Sequence, residues 1–144
     1  MAFTGNHEHS LDAKNRLTIP ARNRTELAGG VSLVKGFEKC LQVWPQQDYD
    51  RVTQQALAGV NPLSKEARIL KRHLYGNAQG TELDSAGRIG IPAGYLSHAN
   101  ITKDVVVLGA GEYLEVWDRE TWQSFDADLI ARAADHIASI GHPA

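Results

Sequence analysis

Lys14, Arg16, Arg22 and Arg24 fall within eleven residues, and no acid lies among them. Arginine forks bond phosphates or the edge of guanine, and lysine adds a mobile point charge. The chemistry such a group does is recognition of a polyanion rather than the making or breaking of bonds. Asp12 stands four residues before Arg16. The competing reading is a solvated surface on which Arg16 is committed to Asp12.

Other residues suggest chemistry and lead nowhere. His7-Glu8-His9 offers two imidazoles on one face of a strand, but no third ligand lies at a recognisable spacing. His73, His98, His136 and His142 are scattered. A solvated N-terminal strand is the expectation for this segment. Cys40 is the single cysteine, which leaves no internal disulfide and no multi-cysteine metal site. With no partner signature for nucleophilic catalysis it reads as a buried, inert thiol. Neither Ser10 nor Ser64 sits in a nucleophile elbow. Val105-Val106-Val107-Leu108-Gly109-Ala110-Gly111 opens like a dinucleotide-binding turn. Leu114 stands where the third glycine belongs, and a strand-like Leu-Glu-Val-Trp follows in place of a helix. The reading is therefore a protein with no metal, no cofactor, no small-molecule substrate and no enzymatic constellation.

The basic run belongs to a repeat. Leu11-Asp12-Ala13-Lys14-Asn15-Arg16-Leu17-Thr18-Ile19-Pro20-Ala21 returns as Leu83-Asp84-Ser85-Ala86-Gly87-Arg88-Ile89-Gly90-Ile91-Pro92-Ala93, at an offset of 72 residues. Leu41-Gln42-Val43-Trp44 returns as Leu114-Glu115-Val116-Trp117, at an offset of 73. Two segments in the same order at nearly the same offset indicate a tandem duplication of a small β unit followed by helix. The division expected is residues 1–60 as a first unit with the basic hairpin, 61–76 as a connecting helix, and 77–144 as a second unit with a C-terminal helix. In both copies a polar turn separates apolar residues of period two, the pattern of a hairpin. Asn15 and Gly87 hold the same place, and they are the residue types that best accept the positive φ of a tight turn. Such a turn sets Asp12 within reach of Arg16, and Asp84 within reach of Arg88, as a structural brace that aims each arginine. Lys14 becomes Ala86 in the second copy, so the Asp-x-x-x-Arg brace is what both copies share.

The remaining elements follow from local signals. Pro20 and Pro92 end strands and suit the start of a helical turn. Arg22–Ala28 reads as a short helix closed by Gly29-Gly30. Strands are expected at Val31–Lys35, Leu41–Trp44, Val105–Gly109 and Tyr113–Trp117. Helices are expected over Asp48–Leu57, after a Ser64 cap with Ala67, Leu70 and Leu74 on one face, and over Asp118–Ile140. Trp122, Phe125, Leu129 and Ala133 share a face of that last helix, and Gly141 and Pro143 end it.

At about 150 residues per domain, 144 residues point to one domain. A content of 42% hydrophobic and 22% charged residues excludes a disordered or collagenous chain. No apolar run approaches the roughly 20 residues of a membrane span. The N-terminus has neither the basic nor the apolar region of a signal peptide. A cytoplasmic protein is expected. The net charge of −2 speaks, as a total, against nucleic acid. That total averages two unlike halves: residues 1–75 carry 11 Lys and Arg against 7 Asp and Glu, and residues 76–144 carry 4 against 10. The first half is the one that can face a polyanion.

At Leu11-Asp12-x-Lys14-x-Arg16-Leu17-Thr18-Ile19-Pro20-Ala21 the chain resembles the first motif of the MraZ family, bacterial proteins built from two AbrB-like swapped-hairpin units. Leu83-Asp84-Ser85-Ala86-Gly87-Arg88-Ile89, Glu66-Ala67-Arg68 and Tyr113-Leu114-Glu115-Val116-Trp117 extend the resemblance over essentially the whole chain. It implies an α+β fold, a tandem-duplicated swapped-hairpin β-barrel with helices after each copy. It also implies a sequence-specific regulator of transcription that binds double-stranded promoter DNA at the division and cell-wall gene cluster, commonly repressing its own operon. A ring-shaped homo-oligomer in the cytoplasm, associated with the nucleoid, completes the implication. The family's DNA-binding residues carry over to Lys14, Arg16 and Arg88, and charge and proximity add Arg22 and Arg24. Asn15 departs from the glycine usual in the family, and Ala86 lacks the lysine, so bracing or inter-subunit contact competes with DNA contact at the second hairpin. A duplicated scaffold without DNA affinity and an antitoxin-like regulator are the alternatives, the latter disfavoured by the duplication.

Overall fold

The computed structural model describes residues 2–141, without the side chains at 129–131 and 134–141. The chain runs β1 (Asn6–Ser10), β2 (Arg16–Thr18), a 3-10 turn (Ala21–Asn23) leading into α1 (Arg24–Leu27), β3 (Val31–Lys35), β4 (Leu41–Pro45), α2 (Gln46–Ala58), α3 (Lys65–Gly76), β5 (Ala78–Thr81), β6 (Arg88–Gly90), α4 (Ala93–Ala99), β7 (Asp104–Gly109), β8 (Leu114–Asp118) and α5 (Arg119–Gly141). Ser64 caps α3 by accepting from the Ala67 N–H at 3.1 Å. Ala67 is buried, with Leu70 and Leu74 half-buried beside it on the expected face. His142, Pro143 and the side chains of Leu129 and His136 lie outside what is described.

The duplication is visible as a pseudo-twofold arrangement. Six strands form an antiparallel sheet in the order β1-β7-β8-β4-β3-β5, which reads the same from either end when the copies are exchanged. Each copy gives its first strand to the other: β1 pairs with β7 and β5 with β3. The dyad runs through the central Gln42–Glu115 pair. It runs equally through Leu17–Ile89, where β2 pairs with β6 in a separate two-stranded ribbon. The repeat extends to side chains: the Trp44 indole donates to Gln42 at 2.9 Å, and the Trp117 indole to Glu115 at 3.1 Å.

One expectation is met and one changes. Beyond the bond that closes each turn, the arms flanking it do not pair with one another, which is the swap that the resemblance implies. The Leu11 N–H bonds the Lys103 carbonyl at 2.8 Å, and β2 bonds β6, so the strands are swapped between copies. Nor do ladders close the strands into a barrel among the described residues. β1 and β5 end the six-stranded sheet, and the ribbon strands, three residues each, reach only one another. What joins ribbon to sheet is packing. Leu17 and Ile89 of the ribbon, and Ile19 and Ile91 just beyond its strands, share one buried cluster with Leu33, Leu41, Val43, Val105, Val107, Leu114 and Val116 of the sheet.

Candidate nucleic-acid interface

Each ribbon strand is entered through a tight turn, and the two turns are built alike. In the first, the Asn15 N–H donates to the Asp12 carbonyl at 3.0 Å, and the Asp12 N–H to the Arg16 carbonyl at 3.1 Å. Asp12 Oδ1 accepts the Lys14 and Arg16 N–H groups, both at 2.9 Å, and Oδ2 accepts Arg16 Nε at 2.7 Å. In the second, Asp84 Oδ1 accepts the Ala86 and Arg88 N–H groups at 2.9 and 2.8 Å, and Oδ2 accepts Arg88 Nε at 2.8 Å. An aspartate side chain that folds back onto the backbone two residues on is what makes this residue type a turn former. The positive φ expected at the matching positions is there, 57° at Asn15 and 76° at Gly87.

The brace consumes only Nε of each arginine. Among the described residues no acceptor bonds the terminal nitrogens of Arg16, whose side chain is 31% exposed. Arg88 Nη1 lies 4.0 Å from Asp12 Oδ2, so Asp12 faces an arginine from each copy. The dyad sets both turns at the same ribbon, and Lys14 stands exposed at the tip of the first. The geometry offers two aimed guanidiniums, that of Arg16 with its Nη edge free and that of Arg88 with Nη1 shared toward Asp12, and one lysine at the tip of the first turn.

Arg22 and Arg24 are engaged elsewhere. Arg22 donates to the Thr4 carbonyl at 2.9 Å and contacts His7 Nε2, fastening the N-terminal segment. Arg24 Nε donates to the Ile19 carbonyl at 3.0 Å. His7-Glu8-His9 lies on edge strand β1, as expected for a strand. Burial first, and then His7, lower the His9 pKa.

The Asp12 carboxyl is held below its ordinary value, first by the Arg16 backbone N–H and then by its guanidinium; Asp84 stands in the same relation to Arg88. A depressed folded pKa contributes stability that is full above the ordinary value of 3.8 and is lost as pH falls through the folded value. The Asp12 and Asp84 side-chain carboxyl carbon resonances are therefore expected to titrate below the ordinary value of 3.8. Titration of both above that value would contradict the brace.

One cluster escaped the sequence. Donor atoms of Glu38, Cys40 and Glu115 lie within 4.8 Å of one another, brought together by the β4–β8 pairing. Cys40 is buried, and its thiol faces Glu115 Oε2 at 3.8 Å. Burial first, then Glu115 and Glu38, push its pKa far up, so the sulfur is a protonated donor. No sequence spacing announces a group assembled from strands 75 residues apart.

A family model described as "MraZ protein, putative antitoxin-like" matches residues 2–73 and again 74–139. Relatives named "Transcriptional regulator MraZ" align over nearly their whole length. That of Thermobifida fusca is 39% identical over 138 residues, covering 94% of this chain and 96% of the relative. That of Salinispora arenicola is 39% identical over 139 residues, covering 96% and 94%. That of Clostridium tetani is 33% identical over 141 residues, covering 96% and 99%.

Proposed function

The chain belongs to the MraZ family, and from that premise we propose that it is a transcriptional regulator that reads double-stranded promoter DNA with its two braced turns. The observation that carries the reading is the pair of matched Asp–Arg turns on one ribbon, each arginine anchored through Nε, with the Nη edge of Arg16 free and that of Arg88 engaged only by the Nη1–Asp12 ion pair at 4.0 Å. A two-stranded β element fits the major groove. In this reading Arg16 and Arg88 bond phosphates or guanine edges and Lys14 neutralises a phosphate. Asp12, Asn15, Asp84 and Gly87 hold the turns in shape. Arg22 and Arg24 add positive charge behind them while holding backbone carbonyls.

One chain presents few phosphate contacts, so a ring-shaped homo-oligomer presents several ribbons to short repeated boxes. Linked weak sites gain about 10²–10⁴ in affinity without new contacts. The acidic C-terminal helical region then faces away from the DNA. The expected target is the control region of its own division and cell-wall gene cluster, in the nucleoid-bearing cytoplasm. The turns assemble no nucleophile, base or oxyanion site, and binding rather than catalysis is the activity proposed.

Footprinting the purified protein on DNA upstream of its own gene, with native mass measured alongside, tests the reading. Protection of short repeated boxes at physiological salt, by a species heavier than one chain, is the expected result. Binding no tighter than to unrelated DNA would leave an oligomeric scaffold in its place.

A further inference from the structure

The two turns share a backbone design but not their surroundings. Gly87 is buried, whereas Asn15 is exposed. What covers Gly87 is Arg24 of the other copy: a Cβ built on Gly87 would fall inside the Arg24 side chain, 2.7 Å from its Cδ and nearer still to Nε. The same Arg24 Nε donates to the Ile19 carbonyl at 3.0 Å, and the Ile19 N–H donates to the Gly87 carbonyl at 2.9 Å. Arg24, the end of the first ribbon strand and the second turn thus form one closed contact. The position matching Arg24 in the second copy is Leu96, which packs into the core. Among the described residues the first turn therefore has no counterpart of the Arg24 guanidinium, and the exposed Asn15 stands at the matching position.

We propose that Arg24 is a positioning residue for the second turn: it clamps Gly87 against the Ile19 carbonyl and so holds Arg88 in its aimed orientation. Position 87 must satisfy two conditions if the clamp is to stay in place, a φ of 76° and room for the guanidinium lying over it. Asparagine meets the first requirement, as Asn15 does at φ 57°, but not the second. This inference rests on the DNA-reading function proposed above, and its test has an arm that does not depend on it.

Arg24→Ala, Gly87→Asn and the double variant are compared with the full-length parent. Without DNA, Arg24→Ala is expected to speed hydrogen exchange at the Gly87 and Arg88 amides by about tenfold, the loss of one hydrogen bond to a charged group. The Asn15 and Arg16 amides should keep their rates. In the Gly87→Asn background, where the clamp is already displaced, removing Arg24 should change exchange little. Additive effects in this cycle, or unchanged exchange in Arg24→Ala, overturn the proposal. On the upstream fragment, Arg24→Ala should weaken binding by at most about tenfold, by the factor through which the population of held turns falls, with the salt slope unchanged. A slope reduced by about one per engaged subunit would make Arg24 a direct phosphate contact and overturn it as well. If the parent itself fails to bind the fragment, the function proposed above falls, and the exchange cycle still decides the clamp.

Discussion

Arg16→Ala is expected to weaken binding to promoter DNA by about 10- to 100-fold per engaged subunit, as expected for removing one bidentate pairing worth about 1–3 kcal/mol. In a ring these penalties compound, because each subunit's turn contributes to the same avidity. The salt dependence should flatten by about 0.9 for each phosphate no longer neutralised. Three details make the prediction sharp. The Arg16 side chain is half-exposed, and Nε is the nitrogen committed within the protein. Asp12 Oδ1 keeps both of its backbone donors when the guanidinium is gone, so the turn itself should survive. The ribbon is held by backbone bonds that alanine preserves. Thermal midpoint and native mass should therefore stay near those of the parent. Gel shift against salt checks the result, and unchanged affinity at two salt concentrations would remove Arg16 from the interface. Arg88→Ala should cost less than Arg16→Ala, because the second turn carries Ala86 where the first carries Lys14.

Much of this arrangement is legible in the sequence because it is local. A turn needing positive φ leaves its mark in residue type, so Asn15 and Gly87 can be matched by their place in the repeat alone. Asp and Arg four residues apart across that turn are bound to meet. The cap at Ser64 and the strands Val31–Lys35 and Leu41–Pro45 likewise depend on neighbours a few residues away. What the sequence hides is non-local. The segments flanking a turn read as hairpin arms, yet β2 finds its partner 72 residues on. β5, Ala78-Gln79-Gly80-Thr81, has no apolar alternation, and only its place along β3 makes it a strand. The commitments of Arg22 and Arg24 are to carbonyls at Thr4 and Ile19, and a carbonyl has no sequence signature. Charge density therefore marks a basic region while leaving unmarked which of its cations stand free.

The residue next to Arg16 should behave in the opposite way. Leu17 is fully buried at the pseudo-dyad, paired with Ile89, and packs in a core to which both copies contribute. Leu17→Ala should cost about 2–5 kcal/mol, the transfer free energy of the deleted side chain plus the cavity it leaves. That is a large part of the stability of a domain this size, which lies in the range of about 5–15 kcal/mol. Because the copies exchange β1 and β5 and share one buried cluster, neither half has a core of its own to retain. Denaturant unfolding followed by tryptophan fluorescence is a direct check, since Trp44 of the first copy stacks on Tyr113 of the second, and Trp117 and Trp122 lie within the second. The expected result is one transition moved to lower denaturant with its slope unchanged. Two transitions, with one half persisting, would show that the copies fold separately. Adjacent alanine substitutions would then divide the ribbon by face: position 16 governs binding at nearly constant stability, and position 17 governs the stability of both copies together.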